Sequence, residues 1–94
     1  QEGAKFPAIM KDLSFSLSKE TNFVKLRNII QDNFILLKQV EFFDIYFDIK
    51  DPDTINIGLR LEFQSTDQTL RTEIIEEQIS KIISNLEYNF EIQL

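Results

Sequence analysis

The chain has no cysteine and no histidine, and its only glycines are Gly3 and Gly58. Without Cys or His there is no thiolate nucleophile, no Ser–His relay, no zinc cluster and no disulfide framework. Two glycines are too few for a phosphate-cradling loop or a dinucleotide fingerprint. Catalysis by this chain alone is therefore not expected, with Asp/Glu chemistry the one route formally open. The lack of Cys fits a reducing compartment. No signal peptide is visible and no apolar run approaches the roughly 20 residues of a membrane span, so a cytoplasmic protein with no membrane partner is expected. Repeats, low-complexity tracts and Gly/Ser linkers are also missing, and residues 1–94 read as one cooperative domain. The chain begins at Gln1 rather than Met and reads as a piece of a larger protein, Gln1 to Gly3 being candidates for vector-derived residues.

What is present is core-forming. Hydrophobic residues make up 43% of the chain, with fourteen Ile, ten Leu and nine Phe, a composition that excludes disorder. The net charge is −6 and unevenly spread. Residues 1–38 carry six basic and four acidic groups, whereas residues 39–94 carry four basic and twelve acidic. A domain that grips a polyanion on its own is usually basic, so this balance argues against strong autonomous nucleic-acid binding. Weak contact made while a larger body holds the partner stays open.

Hydropathy patterning gives six elements. Phe6-Pro7-Ala8 is expected to be extended. Leu13, Phe15 and Leu17 then alternate with Ser14, Ser16 and Ser18, a half-buried strand with a flat hydroxyl face. Phe23, Leu26, Ile30 and Phe34 recur at helical spacing from about Glu20 to Asn33, with Thr21 as the expected N-cap. In the strand Val40 to Ile49, strict alternation turns Phe43, Ile45, Phe47 and Ile49 one way and Phe42, Asp44, Tyr46 and Asp48 the other. After the turn Lys50-Asp51-Pro52-Asp53, a third strand places Ile55, Ile57, Leu59, Leu61 and Phe63 inward and Asn56, Gly58, Arg60, Glu62 and Gln64 outward, making an antiparallel hairpin. A polar loop, Gln64 to Thr69, leads to a helix capped by Thr72, with Ile75, Ile79, Ile82 and Leu86 as its apolar stripe. Phe90 to Leu94 alternates as a short last strand. The order βαββαβ with right-handed crossovers predicts an α+β, ferredoxin-like fold: a four-stranded antiparallel sheet with both helices on one face and the other face open.

Three stretches carry a resemblance to a known family. Phe6-Pro7-Ala8-Ile9-Met10-Lys11-Asp12-Leu13 resembles the opening F/Y-P-x-x-x-R/K-D-L of the ferredoxin-fold anticodon-binding domain that ends the β chain of bacterial phenylalanyl-tRNA synthetases. Val40-Glu41-Phe42-Phe43-Asp44-Ile45-Tyr46 is similar to its V-x-L/F-F-D-x-Y, and Leu59-Arg60-Leu61-Glu62-Phe63-Gln64 with Thr69-Leu70 to its L-R-L-x-F-Q … T-L. The resemblance runs from about Lys5 to Gln93. Departures occur at Thr54-Ile55-Asn56, where the family shows Gly-x-Lys-Ser. Arg71-Thr72-Glu73 replaces a Thr-x-Asp-Glu cap, and Asn89 to Gln93 replaces Gly-Ala-x-Leu-Arg. Two commonly basic positions, at Ile55 and Gln93, are thereby uncharged.

The resemblance implies a non-catalytic recognition module. Its partners would be the anticodon stem-loop of phenylalanine tRNA and, in an (αβ)₂ parent, the synthetase α subunit. No cofactor is expected in this domain, ATP and magnesium belonging to the parent ligase. Tyr46 is the foremost RNA-binding candidate: outward on an open sheet beside Asp44 and across from Arg60, it suits stacking by an unpaired base, although alternation alone also fits cross-strand packing. Arg60 could pair a phosphate, stack on a base or bridge to Asp44. Lys11 is a candidate phosphate contact, and Ser14 and Ser16 suit a sugar or phosphate hydrogen bond. Phe42 is either exposed beside Tyr46 or buried by a bulge. Asp48, Asp51 and Asp53 lack the glycine and distal glutamate of a calcium loop and read as a solvated turn. Glu73, Glu76 and Glu77 suit the N-terminal end of the second helix. The rival reading is a ferredoxin-like protein- or ligand-binding module with no RNA partner, which the acidic balance favours.

Overall fold

The computed structural model describes residues 6–94, the side chain of Asn33 aside. Gln1 to Gly3 and Lys5 lie outside the described residues. Strand β1 (Ile9–Ser18) leads to helix α1 (Phe23–Asn33), the hairpin β2 (Leu37–Phe47) and β3 (Thr54–Phe63), and helix α2 (Thr72–Asn89). β3 lies between the other two strands and is antiparallel to both. Its inward residues Ile55, Ile57, Leu59, Leu61 and Phe63 are all buried. Phe15 and Leu17 of β1, Leu26 and Ile30 of α1, and Ile75, Ile82 and Leu86 of α2 pack with them in one core. Both helices therefore cover the same side of the sheet, as a ferredoxin-like α+β arrangement requires.

The helix starts differ from expectation. Asn22, not Thr21, caps α1, its Oδ1 accepting the Lys25 backbone N–H at 3.0 Å. Arg71 holds the cap position of α2 with no side-chain hydrogen bond, and Thr72 is already inside the helix, so the second cap is missing.

Among the described residues the sheet has three strands, not four. α2 runs for 18 residues to Asn89 and ends directly at the start of the expected last strand. Of the expected strand Phe90–Leu94, one antiparallel pair forms: Ser16 N–H donates to Gln93 O at 2.7 Å, and Gln93 N–H to Ser16 O at 2.8 Å. This bridge sits on the outer edge of β1, where a fourth strand of this topology belongs.

The largest departure lies in β2. Register slips between Phe42 and Asp44, so Phe42 faces Leu59 while Asp44 already faces Gly58. A β-bulge adds one residue to one strand and shifts the phase of everything beyond it. Phe42 consequently points to the helices and meets Phe23 edge-on at 6.4 Å, and Phe43 turns to the open face, the reverse of strict alternation. Past the bulge, Ile45 and Phe47 regain the helix side, opposite Ile57 and Ile55, yet they are 50% and 63% exposed, and Ile49 in the turn is bare. Length explains it. Eleven helical residues span about 16 Å and eleven strand residues about 36 Å, so α1 cannot cover the far end of the hairpin.

The bulge makes a discriminating prediction. Phe42→Ala should cost about 2 kcal/mol in chemical denaturation, and Phe43→Ala less than about 1 kcal/mol. Unbroken alternation would give the opposite order.

Candidate nucleic-acid interface

Register defines the open face. Asp12, Ser14 and Ser16 of β1 lie opposite Arg60, Gly58 and Asn56 of β3, and Glu41, Asp44 and Tyr46 of β2 lie opposite the same three from the other side. Tyr46 is thus across from Asn56, and Arg60 is four residues along β3 from Asn56, with Gly58 between them on the same face. Tyr46 is 55% exposed. A shallow depression of about 180 Å³ gathers Ser14, Ser16, Asp44, Tyr46, Asn56 and Gly58, with Gln93 and Leu94 at its rim.

Four of the six candidate residues meet here. The Tyr46 hydroxyl, the Asp44 carboxylate and the Ser14 hydroxyl have no hydrogen-bond or ion-pair partner among the described residues, so their polar atoms are available to a ligand. Ser16 Oγ donates weakly to Gln93 O at 3.4 Å.

Arg60 stands beside the depression, engaged elsewhere. Its Nε and Nη2 donate to the two carboxylate oxygens of Asp12 at 3.1 and 3.4 Å, and its guanidinium carbon lies 4.7 Å from the centroid of Phe43. The hydrogen bond and charge of Asp12 raise its pKa above the ordinary arginine value. The bridge runs to Asp12 across β1, not to Asp44. Lys11 is on the wrong side for this site. β1 begins at Ile9, so Lys11 is inside the strand and faces Leu61, sharing the helix side with Leu13 and Phe15.

Gly58 explains the geometry, and it is the residue that alternation alone overlooks. A Cβ on Gly58 would sit 2.8 Å from Cζ of Phe43 and 3.1 Å from Cβ of Asp44. Glycine therefore lets the bulged strand press against β3 with Phe43 lying over the gap. The signal is in the sequence, since glycine inside a strand marks a bulge or a close approach.

The remaining clusters are structural. Asp48 Oδ1 accepts the Lys50 backbone N–H, and Asp51 accepts the Asp53 N–H and the Thr54 hydroxyl, shaping the β2–β3 turn. Asp53 pairs with Lys19 at 3.5 Å. No group of three or more acidic residues is disposed to hold a metal ion among the described residues. No helix among them is long and apolar enough to cross a membrane.

Comparison with known proteins shows the family to which this fold belongs. Residues 4–94 fit the ferredoxin-fold anticodon binding domain, and the chain belongs to that family. It is 34% identical over 93 residues to a phenylalanine–tRNA ligase beta subunit of Francisella tularensis, covering 96% of this chain and 11% of that protein. It is 36% identical over 90 residues to the corresponding subunit of Bacteroides thetaiotaomicron, covering 93% and 11%. The Onion yellows phytoplasma subunit shares 33% over 92 residues, covering 96% and 11%. The chain spans about one-ninth the length of these relatives.

The role of Gly58 is testable in solution. In Gly58→Ala the new methyl should push the Phe43 ring away from Arg60, and the ring-current shift of the Arg60 side-chain protons should vanish from the NMR spectrum. An unchanged shift would mean that the glycine does not set the ring.

Proposed function

We propose that this chain is the anticodon-recognition module of a phenylalanyl-tRNA synthetase β subunit and that it works through the open face of its sheet. The observation that carries the reading is Tyr46: an exposed aromatic ring on the open sheet face, near the hairpin end of the edge strand β2, flanked by the Asp44 carboxylate and the Ser14 hydroxyl, which have no partner among the described residues. Sequence-specific RNA recognition favours unpaired bases, which stack on exposed aromatics while neighbouring groups read their edges. An anticodon loop presents such bases. Asp44, an acceptor-only carboxylate beside the ring, suits a base edge that offers donors and repels phosphate. Ser14, Ser16 and Asn56 add short polar groups at a depth that a flat base reaches. Lys11, on the other side of the sheet, has no part in this site.

The work in the parent enzyme divides accordingly. The α subunit would carry the chemistry with ATP and magnesium, in the cytoplasm, and no residue of this chain is assigned to either cofactor. Contact with tRNA through this domain is weak by itself, because a −6 domain repels a polyanion at long range. The larger assembly delivers the anticodon arm to the face. The acidic surface alone would suit a module without an RNA partner, but membership of an anticodon-binding family together with the unpartnered Tyr46 site supports the RNA reading over that one.

Tyr46→Ala is the direct test. Base stacking on an aromatic contributes about 1–3 kcal/mol, so affinity for a phenylalanine anticodon stem-loop should fall about fivefold or more, with thermal stability unchanged and Tyr46→Phe retaining most of the binding. In the whole synthetase the same change should raise the KM for tRNA and spare phenylalanine-dependent ATP–pyrophosphate exchange. Equal loss of charging and exchange would show that the domain serves something else.

A further inference from the structure

Arg60 is a cation on the open face beside the Tyr46 depression, and its surroundings leave it little to offer a phosphate. Asp12 takes two of its N–H groups, and Glu41 lies opposite it on β2 and adds its negative charge to the local field. The result is a cation neutralised in place, in a neighbourhood whose net sign repels a phosphate. What stays available is the guanidinium plane. The ion pair with Asp12 and the Phe43 ring 4.7 Å away hold that plane in one orientation, and its side chain is 40% exposed. Phe43 in turn is held by the bulge and by the missing Cβ of Gly58. Unpaired bases stack on arginine planes as they do on aromatic rings.

We propose that the guanidinium of Arg60, fixed between Asp12 and Phe43, is a second base-stacking plane on this face and takes a different unpaired nucleobase from the one on Tyr46. This rests on reading the face as the RNA-binding surface. The two planes stand on neighbouring strands, with Asp44 and Gly58 between them, so two bases splayed from one loop would straddle the depression. Arg60 then contributes shape and stacking, and its charge serves to lock it to Asp12.

The test uses phenylalanine anticodon stem-loops with 2-aminopurine placed at each loop position in turn, titrated into the full 94-residue chain. Arg60→Lys keeps the charge and loses the plane; Phe43→Leu keeps Arg60 and loses its support. Each should weaken binding about fivefold or more without changing the dependence of affinity on salt. Each should also abolish the fluorescence change at one loop position, distinct from the position that Tyr46→Ala silences. Wild-type affinity in Arg60→Lys, a flatter salt dependence, or silencing of the same position as Tyr46→Ala would overturn the second plane. If Tyr46→Ala itself silences no position, the reading of the face fails, and the proposal with it. Thermal melts of the three variants identify any loss caused by unfolding, and in that event Arg60→Gln and Phe43→Met take the same test.

Discussion

One extra residue in β2 decides which of two phenylalanines lies on the open face of the sheet. Without the bulge at Phe42–Phe43, the strand would bury Phe43 and turn Phe42 to solvent. With it, one phenylalanine joins the core against Phe23 and the next lies on the open face under Arg60. Past it, Asp44 and Tyr46 stand opposite Gly58 and Asn56, on the open face where unbroken alternation also puts them. A slip of one residue moves every side chain of a strand to the other face, so such a feature specifies a site as strongly as the site residues do. Its enabling partner is the glycine across from it, where any side chain would meet Phe43 and Asp44.

Electrostatics shapes the proposed recognition in a consistent way. The chain is acidic, and Asp12, Glu41, Asp44 and Glu62 line or border the face. Lys38 is occupied by Glu62 and Gln64, and Arg60 by Asp12. On the proposed reading, such a surface would discriminate against the phosphate backbone and favour flat, uncharged groups with donor edges. Phosphate contacts give affinity and base contacts give information. A module that makes few of the former is suited to reading a loop delivered by a larger body.

The sequence makes much of the fold legible. Alternation in β1 and β3 and the helical stripes through Leu26–Ile30 and Ile75–Leu86 name the core correctly, because each element buries one face against a single layer. The feature the sequence leaves open is the bulge in β2, one of the two placements expected for Phe42, since hydropathy at Phe42-Phe43 is the same for either assignment. Gly58 is the clue that could break the tie. Lys11, expected just ahead of the first strand, lies inside it, because β1 starts at Ile9 and the alternation through Leu13 and Phe15 assigns Lys11 to the helix side. Of the fourth strand, the five residues that follow α2 form one pair, through Gln93. Arg60's partner is legible only from register, which places Asp12 directly opposite it.

The claim that the bare side of the sheet is the recognition surface is tested most directly by following backbone amide resonances of the chain during titration with a phenylalanine anticodon stem-loop at low salt. The account predicts perturbations concentrated at Ser14, Ser16, Asp44, Tyr46, Asn56 and Gly58, with the outer faces of α1 and α2 silent. Perturbations confined to the helices, or a sheet face unmoved while the RNA binds, would contradict it.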